Sequence, residues 1–150
     1  MNMMVPKDFE EFFELLNNHK AKYLIVGGYA FAIHARPRFT RDIDILLCTE
    51  RENAERIILV LKDFGFGSLD ITLDDLMNPN TVIQLGYPPL RIDLIIGISG
   101  IDFHETWDRK VTGKFGNQEV FYISKQDLIT SKKIAGRKQD LLDIEELERL

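Results

Sequence analysis

The run DIDILLC, residues 42–48, puts two carboxylates, Asp42 and Asp44, at the head of an apolar segment. A strand sends alternate side chains to opposite faces, so these two leave on the same face. Like charges that close repel, and each costs free energy to take out of water. A fold that accepts the pair must set something positive between them. Segment 90–98, LRIDLIIGI, carries a third carboxylate. There Leu90, Ile92, Leu94 and Ile96 share one face, and Arg91, Asp93 and Ile95 share the other. A half-buried Asp93 needs a partner, either Arg91 two residues away or a metal ion.

Three aspartates on two strands can hold one or two Mg²⁺ ions, or Mn²⁺ in their place, where the strands are neighbours. Hard divalent cations take oxygen ligands, and Mg²⁺ combines one or two carboxylates with substrate phosphates. Two-metal sites activate an attacking oxygen and stabilise a leaving one. The triad Asp42, Asp44 and Asp93 therefore points to phosphoryl or nucleotidyl chemistry. One candidate for a phosphate cradle is LIVGGYAFA, residues 24–32, although many strand-to-helix turns contain Gly-Gly. Gly27 and Gly28 let the backbone approach a phosphate, and free N–H groups at a helix start bind anions.

Other uses of Asp-x-Asp fit less well. A haloacid dehalogenase-type phosphatase puts it at the end of an apolar strand, whereas here the apolar run follows. An EF-hand needs glycine at its sixth position, which is Leu47. A metal-dependent glycosyltransferase leaves Gly27-Gly28 unexplained. The stretch DFHETW, residues 102–107, has no second histidine at zinc-site spacing. His19, His34 and His104 read as solvated or packing residues. Arg36, Arg38 and Arg41 cluster just before the acidic pair, where they offset its charge, contact a triphosphate or sit in a solvated loop.

The remaining pattern alternates helices and strands. Phe9, Phe12, Phe13, Leu15 and Leu16 recur at helical period. Residues 22–26 read as a short buried strand and 29–35 as a helix ending before Pro37. Thr49 and Glu52 suggest a capping box for a helix through about residue 64, with Ala54, Ile57, Ile58 and Leu61 as its buried stripe. Thr72 caps a short helix. Segments 81–87 and 90–98 form a hairpin about Pro88-Pro89, and a second hairpin turns at Gly116-Asn117. Segment 102–110 is a short helix or an ordered loop. Ser124 caps a helix over 125–135, Gly136 ends or bends it, and an amphipathic helix closes the chain. The expected class is α+β (α/β): a mixed central β-sheet with helices mainly on one side and C-terminal helices. One domain spans residues 1–150, with a core to about 123 and a helical segment after it.

The bulk numbers narrow the function further. With 45% hydrophobic and 29% charged residues, the chain has a globular composition. Its net charge of −5 argues against a surface that grips nucleic acid as a whole. Cys48 is the lone cysteine and reads as a small buried hydrophobe, which makes a reducing cytoplasm the expected location. There is neither a signal-peptide pattern nor a membrane-length apolar run.

The stretch YLIVGGYAFAIHARPRFTRDIDILL, residues 23–47, resembles the DNA polymerase β-like nucleotidyltransferase superfamily. The pattern is an apolar strand, Gly-Gly or Gly-Ser, a short helix, Asp-x-Asp and a later Asp, matched by Gly27, Gly28, Asp42, Asp44 and Asp93. Arg38, Thr40, Asp42 and Asp44 resemble the signature of small bacterial members, which include abortive-infection toxins and antibiotic nucleotidyltransferases. Lys132, Gly136, Arg137, Asp140 and Asp143 resemble the family's ending. Lys132 and Asp140 are also spaced to share one face of an unbroken helix. The chain departs from many active members at Gly28, where they carry a serine whose hydroxyl meets a phosphate.

The resemblance implies a nucleotidyltransferase fold and transfer of an NMP from an NTP to an acceptor hydroxyl, with release of pyrophosphate. Asp42, Asp44 and Asp93 would hold two Mg²⁺, with Asp93 also helping to deprotonate the acceptor. Gly27, Gly28, Arg38, Thr40, Arg41, Lys132 and Arg137 would meet the nucleotide phosphates. The acceptor is left open between a small molecule, a tRNA end and a protein hydroxyl, and a partner subunit or a second copy would supply specificity. The alternative is an inactive nucleotide- or partner-binding module of a toxin–antitoxin type system.

Overall fold

The computed structural model describes residues 7–67, 70–86 and 90–150. Helix α1 (Lys7–Asn18) buries Phe9, Phe12, Phe13 and Leu16, one stripe at helical spacing, while Leu15 is only partly covered. Strand β1 (Tyr23–Val26) is buried at every residue and runs directly into α2 (Gly27–His34). Strand β2 (Asp42–Leu47) follows, then α3 (Arg51–Leu61). The capping box expected from Thr49 and Glu52 does not form: Glu50 is the N-cap and makes no side-chain cap bond. The buried stripe of α3 is Asn53, Ala54, Ile57, Val60 and Leu61, with Ile58 only partly covered. Asn53 is buried because it is satisfied: it bonds the backbone of Lys22 and Cys48 and ties α3 to the start of β1.

A π-helical turn over Lys62–Phe66 prolongs α3, with Gly65 at φ +96°. Helix α4 (Leu73–Met77) has the expected Thr72 cap, a reciprocal capping box with Asp75. Strands β3 (Thr81–Leu85) and β4 (Arg91–Ile96) pair antiparallel; their turn at Pro88-Pro89 lies outside the described residues. Segment 102–110 contains a true helix, α5 (Phe103–Asp108), capped by Asp102. Strands β5 (Val111–Phe115) and β6 (Gln118–Tyr122) make the second hairpin, followed by α6 (Lys125–Ala135) and α7 (Lys138–Glu148).

The six strands form one mixed sheet in the order β3-β4-β2-β1-β6-β5. β1 is antiparallel to β2 and parallel to β6, and β2 is parallel to β4. α1 packs on β6 and α3, α2 on β1 and β2, and α6 and α7 on α2. Phe9, Phe13, Tyr23, Tyr29 and Phe115 form a continuous run of ring contacts beneath α1. Gly136, in the left-handed conformation at φ +62°, folds α7 back onto α6.

Candidate active site

The parallel pairing of β2 with β4 sets Asp42 opposite Arg91 and Asp44 opposite Asp93. On its other side, Asp44 faces Val26, the last residue of β1. The condition that the sequence leaves open, that the two acidic strands be neighbours, is met in register. Leu94, Ile92 and Ile96 lie buried on one face of β4, as the alternation predicts.

Arg91 is the positive group between the carboxylates. Its Nε donates to Asp93 Oδ1 at 2.7 Å, and its Nη2 donates to Asp93 Oδ2 at 3.0 Å and to Asp42 Oδ2 at 2.9 Å. Asp93 is 8% exposed and Asp42 is at the rim. Asp44 receives no side-chain hydrogen bond from any described residue. Burial, with Asp93 and Asp42 beside it, pushes its carboxyl up from 3.8 to about 6. Three carboxylates against one guanidinium leave this wall acidic.

Gly27 fits against Asp44. Its φ is +66°, and a Cβ there would lie 2.1 Å from Asp44 Oδ2. Gly28 has an ordinary backbone and abuts Thr40, whose hydroxyl donates to the carbonyl of Asp42 at 3.0 Å.

The facing wall comes from α6 and α7. Lys132 Nζ is 2.8 Å from Asp143 Oδ2 and 3.5 Å from Asp140 Oδ1. Arg137 donates from Nε to Asp140 Oδ2 at 2.7 Å. Arg38 makes a two-pronged bond to Asp143 and lies 3.8 Å above the Phe31 ring. Burial alone would raise the Asp143 carboxyl, but hydrogen bonds from Arg38, Lys132 and Gln139 outweigh it and hold the group well below the carboxylate range. Of the charged side chains that line the cleft on this side, Lys132 and Arg137 outnumber Asp140 and leave the wall basic. Lys132 and Asp140 do meet, but across the Gly136 turn between two helices and not along one helix face.

A cleft of about 460 Å³ separates the two walls. Gly27, Asp44, Asp93, Lys132, Arg137 and Asp140 line its charged end. Gly28, Arg38, Thr40, Arg41 and Asp42 do not line it. Arg38 ties the loop before β2 to α7, and the exposed Arg41 lies 5.8 Å from the ring of Phe39. Val82, Ile95 and Ile98 also line the cleft beside Asn80 and Ser99, and of these only Ile95 is marked by strand alternation, on the face of Asp93. One signal for this part of the cleft is the NPN turn at 78–80, where Asn80 adopts φ +68°.

Cys48, Glu50 and His104 bring ligand atoms within 4.8 Å of one another, the one such trio of metal-ligating types among the described residues. They lie beyond the end of β2 remote from Asp42. Cys48 is buried, as expected, and its thiol is pushed up by that burial.

A family model described as "Nucleotidyltransferase of unknown function (DUF6036)" matches residues 7–148. The chain belongs to this family of nucleotidyltransferases. No curated protein sequence matches it. Among solved structures it is similar to the lincosamide antibiotic adenylyltransferase LnuA, solved with lincomycin bound. The TM-score is 0.60 at 17% identity, covering 98% of each chain. It is similar to ANT(2")-Ia, solved with adenylyl-2"-tobramycin, at TM-score 0.56 and 11% identity, covering 93% of this chain and 84% of that one. An antigenic nucleotidyltransferase-like protein from Paracoccidioides brasiliensis gives TM-score 0.55 at 16% identity, covering 96% and 77%. These likenesses show that the nucleotidyltransferase has the fold its strand and glycine pattern resembles. Among the described residues no helix is long and apolar enough to cross a membrane.

Proposed function

We propose that this nucleotidyltransferase moves a nucleoside monophosphate from an NTP to an acceptor hydroxyl. The observation that carries the reading is the register of Asp44 against Asp93, facing Lys132 and Arg137 across one cleft. The volume, about 460 Å³, falls within the roughly 300–1,000 Å³ of small-molecule sites. An acidic wall opposite a basic one suits a triphosphate accompanied by divalent cations.

The donor chemistry suits Mg²⁺ or Mn²⁺, since all three groups offer hard oxygens, but with Arg91 between Asp42 and Asp93 the three do not bring ligand atoms within 4.8 Å of one another. Asp44 is a partly buried carboxylate with no hydrogen-bonding partner among the described residues. Asp42, Asp44 and Asp93 would hold the ions, which when bound supply charge neutralisation and activation of oxygen nucleophiles. Gly27, at the start of α2, leaves its backbone open to the β- and γ-phosphates. Lys132 and Arg137 offset the triphosphate charge, and the buried Asp140 and Asp143 hold them in place. The acceptor oxygen forms a bond to the α-phosphorus as the α–β bridge breaks, and pyrophosphate leaves. Asp93 takes the hydroxyl proton.

Arg38 acts here by anchoring the loop before β2, and Thr40 by fixing Asp42. Arg41 is exposed and outside the cleft lining, which leaves it without a role in binding phosphate. Small hydroxylated acceptors are favoured by the two neighbours crystallised with antibiotics or their adenylyl derivatives.

The test is thermal stabilisation and pyrophosphate release with ATP, GTP, CTP and UTP, with and without Mg²⁺, for wild type and Asp44→Asn. A ligand that binds only the folded state raises the melting temperature. The expected result is a shift that requires both metal and Asp44, with pyrophosphate released once an acceptor is supplied. No shift with any nucleotide would sink the assignment. A shift without pyrophosphate across a panel of hydroxylated acceptors would make the protein a binding module.

A further inference from the structure

We propose that Arg91 is a built-in counter-cation, which occupies Asp42 and Asp93 in the free protein and must leave when a divalent ion enters with a nucleotide. The inference rests on the reading that these carboxylates take a metal, and it deepens that reading: it names the residue that makes metal binding depend on nucleotide.

The geometry is specific. Arg91 is the register partner of Asp42 on the adjacent strand and shares a face with Asp93 two residues along its own. One guanidinium therefore reaches both carboxylates, through three bonds of 2.7, 2.9 and 3.0 Å. No other described side chain bonds to either carboxylate. The planar fork makes this possible, since an ammonium cannot span the two groups in the same way. Arg91 holds both oxygens of Asp93 and Oδ2 of Asp42. A divalent ion on those oxygens would sit within a few ångströms of a guanidinium, and like charges at that distance exclude one another. The Arg91 side chain is 26% exposed, so it has a route to solvent.

Binding of a bare ion must then displace three charge-assisted hydrogen bonds. An ion arriving with a triphosphate brings further oxygen ligands, and the exchange becomes favourable. Metal and nucleotide thus bind with positive coupling, and Arg91 sets its size.

The experiment measures Mn²⁺ binding by loss of the free-ion electron paramagnetic resonance signal. It compares wild type, Arg91→Met, Arg91→Lys and the double variant Arg91→Met/Asp42→Asn. Each is titrated alone and with the four α,β-methylene NTPs. The expected result is weak Mn²⁺ binding by wild type alone and at least tenfold tighter binding by Arg91→Met alone. Arg91→Lys should fall between them, and the double variant should return toward wild type. The gain from nucleotide should be large for wild type and small for Arg91→Met. Equal Mn²⁺ affinity for wild type and Arg91→Met without nucleotide would overturn the proposal and leave the transferase reading standing. Absence of Mn²⁺ binding in every protein, with or without nucleotide, would instead overturn the metal reading beneath it. If Arg91→Met does not fold in metal-free buffer, Arg91→Lys decides, and an affinity equal to wild type counts against the proposal.

Discussion

At the scale of single residues, the two glycines after β1 differ in what they do. Gly27 is required twice over, by a φ of +66° and by the approach of Asp44 Oδ2 to 2.1 Å of where a Cβ would stand. Gly28 has neither constraint, and its Cβ would meet only Thr40 at 3.3 Å. Gly27→Ala should therefore cost about 1–2 kcal/mol in backbone strain and also displace the Asp44 carboxylate. Gly28→Ser should change stability by less than about 1 kcal/mol, since the neighbouring threonine has only a few tenths of an ångström to give. Thermal melts with and without Mg²⁺ and nucleotide check both, and equal losses in the two variants would contradict the distinction. The Gly-Gly pair is visible in the sequence as a break between strand and helix. Which glycine is indispensable is not visible there, because the carboxylate that fills the space arrives from the next strand.

Among the elements, the α6–α7 hairpin carries the basic wall, and buried acids hold it. Asp143 is 1% exposed and receives Arg38, Lys132 and Gln139. Spacing alone suggests that Lys132 and Asp140 share a helix face, yet the left-handed turn at Gly136 brings them together by folding the chain back. The pairing is thus legible in the residue types, and its geometry is not, since a glycine ends or bends a helix with equal ease in a sequence. Asp143→Asn leaves two cations short of their counter-charge and should cost about 3 kcal/mol. The pH dependence has a definite sign. The folded-state pKa of Asp143 lies below its unfolded value of 3.8, so its stabilisation is complete above that value. It is lost as pH falls through the folded pKa. Urea unfolding between pH 2 and 7 should show a steep acid loss in wild type and a shallower one in Asp143→Asn. Parallel curves would remove Asp143 from the account.

For the molecule as a whole, the sheet order does what no local pattern reveals. Chain order alone leaves β2 and β4 separated by two helices, a π turn and a strand, and only the assembled sheet makes them parallel neighbours. The acidic alternation in each strand was readable; their meeting depended on long-range pairing. The outcome is an acidic centre whose charge the fold tolerates without fully compensating, and that tolerance is measurable. Asp44, pushed up to about 6 by burial and by its acidic neighbours, is neutral in both folded and unfolded states below pH 3.8. As pH rises toward 6 the unfolded carboxyl ionises while the folded one resists, and folding loses stability. Above about 6 the penalty is constant. Asp44→Asn should therefore nearly match wild type near pH 4 in metal-free buffer and exceed it by about 3 kcal/mol at pH 8. Adding Mg²⁺ with nucleotide should reverse the ranking at pH 8, because only wild type can convert the repulsion into ligand binding. A variant no more stable than wild type at pH 8 without metal would show that the centre is already neutralised by other means, and would withdraw the charge imbalance on which the metal assignment depends.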